Sequence, residues 1–307
     1  MTLPRYHLVD LAGPGLSAKF GLRSRLAIND AGTIAGACDD RAALWERGKI
    51  HFLAGPGTYA WGINPKGEVA IEDGKSGLFW RKGQLEALPI QTQPGERVVP
   101  RDIAEGRTVV GTTESKSLPL GQAWVLKGTI FRWLADAAEA RVLCPDGRVA
   151  GFAHVAQGDV PVVWKSNQIA WLPLPVRCKT GRVTAVNTSG TLVGSGMLAD
   201  DDTEEGFPTR ALRWRPNGSP EILFSGVATA INDRGWVAGH QAERFESAGT
   251  GGMLWIEGKK HTADDLIENL GHWHVVELHG MNNKGQLVGQ ALFRDELRAV
   301  LLDPHSR

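Results

Sequence analysis

The sequence predicts an all-β fold, a seven-bladed β-propeller in which each blade has four strands. A turn signature recurs seven times along the 307 residues, and in most copies a strand carrying tryptophan follows it. The chain also contains 38 glycines and 11 tryptophans, which fits many turns and a repeated packing position. Four-stranded units of roughly 40–45 residues are typical of propeller blades.

The turn signature is clearest at Ala27–Gly36, which reads AINDAGTIAG. Further copies begin with Ala or Gly at Gly62–Ala70, Ala185–Gly194, Ala230–Gly239 and Gly280–Gly289. Weaker copies at Asp102–Gly111 and Leu143–Gly151 have Ala104 and Cys144 in place of asparagine. Asparagine followed three residues later by glycine predicts a type I turn whose glycine has a positive φ. The turn glycines are Gly32, Gly67, Gly106, Gly147, Gly190, Gly235 and Gly285.

Each repeat predicts its four strands in the same order. The first strand ends at the asparagine, the second follows the turn, the third carries tryptophan, and the fourth ends in leucine. We expect one domain over residues 1–307, with approximate blades at 24–53, 59–88, 98–134, 140–173, 182–224, 228–266 and 276–303. The last repeat lacks a fourth strand, and residues 5–11 resemble an unpaired one. The N-terminal strand is therefore expected to join the C-terminal blade, which closes the ring and removes two strand edges.

The repeats resemble the HAF-repeat family of bacterial propeller-like proteins, whose signature is A-I-N-D-x-G-x-V-x-G followed by A-F-L-W-x-x-G. Ala27–Gly36, Ala185–Gly194 and Ala230–Gly239 match it most closely, and the resemblance covers nearly the whole chain. The resemblance implies a propeller of structural turns and packing positions, with no catalytic motif. Ala104 and Cys144 depart from the family pattern.

Composition excludes several classes of function. The 34 basic and 34 acidic residues give a formal net charge of zero, which argues against binding to nucleic acid or a membrane surface. Three scattered cysteines predict neither a disulfide framework nor a zinc site, and we expect no cofactor. The chain has neither a long apolar stretch nor a signal-peptide pattern at its start, so we expect a cytoplasmic protein. We also expect the protein to be a monomer. An exported protein whose leader had been removed would look the same.

The loops sort onto two faces of the predicted ring. The Asn-x-x-Gly turns and the turns between third and fourth strands share one face and are short. The other face, here called the variable-loop face, collects connections that differ greatly in length, and such loops on a rigid scaffold often carry function. The predicted variable loops are Ile90–Arg101, Thr112–Gln122, Val176–Arg182, Ser195–Thr209, His240–Gly251 and Leu266–His279.

The residue before the small residue of each signature is expected to lie at the channel mouth on this face. These positions hold Leu26, Trp61, Arg101, Arg141, Thr184, Thr229 and His279, and the exit of one second strand adds His240. We predict a ligand-binding set of Trp61, Arg101, Arg141, Thr184, Thr229, His240 and His279. Arginine forks suit carboxylate or phosphate groups. Alternatively, the arginines only pair with neighbours such as Asp102 and Glu139.

Two functions remain open from the sequence. The first is a propeller that binds an anionic small molecule, a peptide or a protein at the variable-loop face. The alternative is an enzyme, a lyase, cyclase or hydrolase, in which His240 or His279 acts as general acid or base while Arg101 and Arg141 stabilise an anion.

Other side chains are weaker candidates for chemistry. His272, His274 and His279 lie close in sequence, but spacing provides no further ligand, so no metal is expected. Asp200–Glu205 is interpreted as a solvated acidic loop. Cys38 lies beside Asp39 and Asp40, whose carboxylates should raise the thiol pKa and make it a poor nucleophile.

Overall fold

A computed structural model describes residues 3–11, 25–117, 119–166, 168–199, 209–242 and 249–305. Within these residues, 28 strands form seven four-stranded antiparallel sheets, and Asp264–Leu266 forms a single 3₁₀ turn. The predicted fold class, a seven-bladed β-propeller, is confirmed.

The strands follow one another in chain order, and the first of them is β1 (Tyr6–Asp10). Blade 1 contains β2 (Ala27–Ile28), β3 (Ile34–Cys38), β4 (Arg41–Glu46) and β5 (Lys49–Pro56). Blade 2 contains β6 (Tyr59–Ile63), β7 (Val69–Glu72), β8 (Gly77–Arg81) and β9 (Gln84–Ala87). Blade 3 contains β10 (Arg97–Ala104), β11 (Thr108–Glu114), β12 (Gln122–Lys127) and β13 (Ile130–Asp136). Blade 4 contains β14 (Ala138–Leu143), β15 (Val149–Val155), β16 (Gly158–Lys165) and β17 (Gln168–Trp171).

The remaining strands complete the ring. Blade 5 contains β18 (Cys178–Val186), β19 (Leu192–Leu198), β20 (Thr209–Trp214) and β21 (Pro220–Ser225). Blade 6 contains β22 (Val227–Ile231), β23 (Val237–Gln241), β24 (Gly251–Ile256) and β25 (Lys259–Thr262). Blade 7 contains β26 (Trp273–Met281), β27 (Leu287–Phe293) and β28 (Glu296–Pro304), with β1 as its fourth strand. The strands β10, β18 and β26 begin inside segments expected to be loops, so the innermost strands extend further toward the variable-loop face.

The N-terminal strand closes the ring. Strand β1 pairs antiparallel with β28, with Tyr6 opposite Pro304 and Asp10 opposite Val300. The fully buried Tyr6 also forms an isolated bridge to Ile267, in the segment that follows blade 6. Blade 7 is therefore built from both ends of the chain, as the repeats predict.

The hydrophobic core lies between neighbouring blades. Phe79 of blade 2, for example, packs in one cluster with Trp124 of blade 3. The recurring tryptophans of the third strands occupy this position, and Trp164 and Trp214 are also fully buried. All seven turn glycines have φ between 75° and 89°, as the type I turn followed by glycine requires.

A belt of buried asparagine side chains links blades near the Asn-x-x-Gly turns. Its members donate their amide N–H groups to backbone carbonyls of the next blade and are Asn29, Asn64, Asn187, Asn232 and Asn282. Blades 3 and 4, which lack the asparagine, are linked differently. The Asp102 carboxylate of blade 3 accepts the N–H of Leu143 in blade 4 at 2.8 Å. The two weak repeats therefore retain a polar link through another residue.

Asn282→Ala should lower the free energy of unfolding by about 2 kcal/mol, because the Asn29 carbonyl and the Gln286 N–H lose a hydrogen-bond partner. The Asn282 amide donates to the Asn29 carbonyl at 3.0 Å, and its oxygen accepts the N–H of Gln286 at 3.0 Å. Urea unfolding followed by tryptophan fluorescence measures the change. Asn217→Ala is the control, because Asn217 accepts from Ser219 within its own exposed turn. Equal losses in the two variants would contradict a stabilising belt.

Candidate functional site at the channel mouth

Six of the seven innermost strands contain a β-bulge at the position that the sequence singled out. The pairing registers skip one residue in each of these strands, and the skipped residues are Trp61, Arg101, Arg141, Thr184, Thr229 and His279. A bulged residue is unpaired and its side chain is re-aimed. These six residues line a cavity of about 280 Å³ at the propeller axis. His240 is not among the residues that line it.

The last glycine of the signature makes room for the bulge. A Cβ atom added at Gly151 would lie 1.9 Å from the carbonyl oxygen of Glu139, and one at Gly194 would lie 1.9 Å from that of Arg182. The corresponding contact at Gly289, with the Glu277 carbonyl, is 2.0 Å. The recurring glycine thus allows the second strand to approach the bulged strand closely.

In blades 5 to 7 the bulged side chains link one blade to the next. The Thr184 hydroxyl donates to the Ala228 carbonyl at 2.6 Å, and the Thr229 hydroxyl donates to the Leu278 carbonyl at 2.6 Å. His279 Nδ1 accepts the backbone N–H of Leu26 at 3.2 Å. These three candidate residues line the cavity, and their polar atoms already have partners in the protein.

In blades 2 to 4 the bulged residues are larger and form a charged cluster. The Arg101 guanidinium lies 4.5 Å from the centre of the Trp61 ring. Arg101 also contacts Glu114 at 3.3 Å and Glu139 at 3.4 Å, and Arg141 contacts Glu139 at 2.6 Å. The pairing with Glu139 considered from the sequence is therefore present. Removal from water would raise the pKa of Glu139, but the two arginines outweigh this and lower it.

Asp102, which the sequence offered as an ion-pair partner for the arginines, instead accepts backbone N–H groups. Its carboxylate accepts the backbone N–H groups of Ile103 and Leu143, both at 2.8 Å. Burial raises the pKa of this carboxyl to about 6, against the lowering effect of the two N–H groups. Asp102 links two blades and provides no ion pair to Arg101 or Arg141.

Arg25 is a cationic member of the site that sequence reasoning missed. It lines the cavity and is exposed to the channel, and it makes no ion pair or hydrogen bond with any residue in the described ranges. Burial lowers the pKa of Arg101 to about 9, and the positive charges of Arg141 and Arg25 contribute to this shift. Three guanidinium groups therefore lie near enough to repel one another.

The two histidines of the predicted set are engaged within the protein: both ring nitrogens of His279 have protein partners, and His240 is buried. Because His279 Nδ1 accepts an N–H, its Nε2 carries the proton and donates to Glu277 at 2.9 Å. Burial would raise the pKa of Glu277, but His279 and the Gly249 N–H lower it to about 2. His240 is buried, and loss of hydration lowers its pKa to about 4.

The buried His240 predicts a loss of stability in mild acid. Its pKa lies below the value of about 6.5 for an unfolded histidine, so the unfolded state binds the proton more readily. We expect the His240 contribution to stability to be complete above pH 6.5 and to be lost as the pH falls toward 4. The difference in unfolding free energy between wild type and His240→Asn should therefore shrink over this range. A constant difference would contradict a buried neutral imidazole.

The remaining candidates lie away from the channel cluster. His274 Nδ1 contacts Asp264 at 2.7 Å, which raises the histidine pKa. Burial, followed by the charge of Asp39, raises the pKa of the Cys38 thiol. Among the residues with described positions, no cluster of three His, Cys, Asp or Glu side chains could hold a metal. The acidic loop Asp200–Glu205 lies outside the described residues.

The fold and the mouth define the class of protein, a seven-bladed β-propeller with a polar channel. No family model and no curated protein matches the chain. In the part of the chain that the structure describes, no helix has the length and apolar character needed to cross a membrane.

Several solved structures share the fold. The extracellular domain of the putative hybrid two component system BT4673 from B. thetaiotaomicron has a TM-score of 0.61 at 9% identity, over 99% of this chain and 40% of that one. XC5397 from Xanthomonas campestris, a gluconolactonase, has a TM-score of 0.50 at 10% identity, over 99% and 96% of the two chains. TolB from Acinetobacter baumannii has a TM-score of 0.50 at 11% identity, and this chain matches 64% of it. These similarities show the propeller fold alone.

Proposed function

We propose that this protein is a non-catalytic binding propeller that holds a small anionic ligand at the channel mouth. Arg25, Arg101 and Arg141 bind the anion, and Trp61 supports Arg101 from the side. The observation that carries the proposal is the unpaired Arg25 beside two arginines that already share Glu139.

The hydrogen-bonding capacity of the arginines supports this assignment. The Nε atoms of Arg101 and Arg141 are buried and have no hydrogen-bond partner among the residues that the structure describes. A buried unpaired donor is costly, and arginine forks match carboxylate and phosphate oxygens. A bound carboxylate or phosphate would accept from these donors and reduce the repulsion among the three cations.

The size of the cavity favours a small ligand. Its volume of about 280 Å³ is at the lower end of the range for small-molecule sites. A peptide could present only one carboxylate here, so a small carboxylate or phosphate compound is the preferred ligand. We also propose that the chain belongs to the HAF-repeat family, on the basis of the repeat signature at Ala27–Gly36, Ala185–Gly194 and Ala230–Gly239.

The histidine geometry favours binding over catalysis. Both ring nitrogens of His279 have protein partners, and the His240 ring is buried outside the cavity lining. Neither imidazole is placed to exchange a proton with a ligand held by the arginines.

Calorimetry and thermal shift with acetate, succinate, citrate and inorganic phosphate at constant ionic strength test the proposal. We expect at least one anion to raise the Tm of the wild type, and Arg25→Gln to weaken its binding at least tenfold. Arg81→Gln is the control, because Arg81 is an exposed residue at the end of β8 and does not line the channel cavity. The proposal fails if none of these anions binds, or if Arg25→Gln binds them as the wild type does.

A further inference from the structure

A second cavity lies at the ring closure, between blades 7 and 1. It has a volume of about 680 Å³ and is here called the closure cleft. Blade 7 contributes Val9 and Leu301 to its wall, and blade 1 contributes Trp45, Ile50 and Phe52. Val9 and Phe52 are each 43% exposed. Large apolar side chains therefore remain accessible along one side of this cleft.

Two basic residues stand at one end of the closure cleft. Arg47 lies in the turn between β4 and β5, and Lys49 is the first residue of β5. Both line the cavity and are exposed. Neither forms an ion pair or hydrogen bond with another residue whose position is described. Asp10 also lines the cleft, but it is paired with Arg298 at 2.9 Å. Asp39 lies in the β3–β4 connection, toward the opposite, variable-loop face.

We infer that the closure cleft binds an amphiphilic monoanion, a fatty-acid carboxylate. Its alkyl chain packs against Val9, Leu301 and Phe52, and its carboxylate lies between Arg47 and Lys49. A cavity of this volume with an apolar wall and few polar groups is typical of small-molecule sites. The alkyl chain is stabilised by burial of apolar surface, and the two unpaired cations select a negative head group.

This inference is independent of the function proposed for the channel. The channel cavity is smaller, and its mouth is lined by arginine, threonine and histidine side chains. It therefore suits a compact polar anion, whereas the closure cleft suits an anion with an extended apolar tail. The two sites use different residues and can be disabled separately.

The test is calorimetric titration with sodium decanoate below its micelle concentration. Acetate provides the head group alone, and decyltrimethylammonium provides the same tail with a positive charge. We expect decanoate to bind the wild type and the other two probes to bind at least tenfold more weakly. Equal binding of decanoate and decyltrimethylammonium, or no binding of decanoate, would overturn the inference.

Two kinds of variant locate the decanoate site. Arg47→Glu/Lys49→Glu reverses the charge at the head group, and Val9→Trp fills the cleft from an exposed position. Each should weaken decanoate binding at least tenfold while the circular dichroism spectrum remains unchanged. Lys82→Glu is the matched control, because Lys82 occupies the equivalent turn of blade 2.

Arg25→Gln separates the two proposals, because it alters the channel and leaves the closure cleft intact. Decanoate should bind this variant as it binds the wild type, even if small anions bind neither protein. Loss of decanoate binding in Arg25→Gln alone would place the ligand in the channel and overturn the assignment to the cleft.

Discussion

Gly151→Ala is expected to lower the free energy of unfolding by about 3 kcal/mol or more, because a close backbone contact leaves no room for a side chain. The added Cβ would lie 1.9 Å from the Glu139 carbonyl oxygen, which belongs to the bulged strand. The backbone of β14 at Glu139 cannot move aside without displacing Arg141 from the channel mouth. Urea unfolding measures the change.

Gly251→Ala is the matched control for this prediction. Gly251 also lies in a strand, but a Cβ atom there meets no atom within 4 Å, and its φ is not positive. In Gly251→Ala the free energy of unfolding of the protein should change by less than about 0.5 kcal/mol. Similar stability of the two variants would mean that the bulge tolerates a side chain and that the signature glycine has another role.

Glu139→Ala should be the most destabilising change within the charged cluster, by about 3 kcal/mol. Glu139 contacts Arg141 at 2.6 Å and Arg101 at 3.4 Å, and only 17% of its side chain is exposed. Removing one partner of a largely buried ion pair leaves uncompensated charge, which costs more than the pair contributes. Thermal and urea unfolding at low ionic strength measure the loss.

An added anion should partly rescue Glu139→Ala. Sodium acetate should raise the Tm of this variant more than that of the wild type, compared with sodium chloride at equal ionic strength. Glu105→Ala removes an exposed pair, Glu105 with Lys66 at 2.9 Å, and should lose less than about 1 kcal/mol without acetate rescue. An unrescued Glu139→Ala would indicate that the mouth does not accept a carboxylate.

The repeats predict the fold because each turn imposes the same local geometry. Asparagine three residues before glycine specifies the turn, and the tryptophan strands specify the packing between blades. The same regularity placed Trp61, Arg101 and Arg141 at the mouth, because the bulge occurs at an equivalent position in six blades. The bulges themselves were not foreseen, although the signature glycine is the residue that permits them.

The composition of the site depends on contacts that repeat comparison cannot supply. Arg25 was missed because β2 is only two residues long and has no bulge, so the equivalent position pointed to Leu26. The bonds of Thr184 and Thr229 to the next blade depend on the approach of two strands. The sharing of Glu139 by Arg101 and Arg141 likewise depends on how blades 3 and 4 are placed.

The most direct test of anion binding at the mouth is anomalous diffraction from crystals soaked in sodium bromide. We expect a bromide peak within hydrogen-bonding distance of the Arg25 guanidinium, on the side of Arg101 and Arg141, that disappears in Arg25→Gln crystals. A mouth without bromide, in crystals whose outer surface binds it, would contradict anion binding at the mouth, and so would an Arg25 side chain paired with a protein carboxylate.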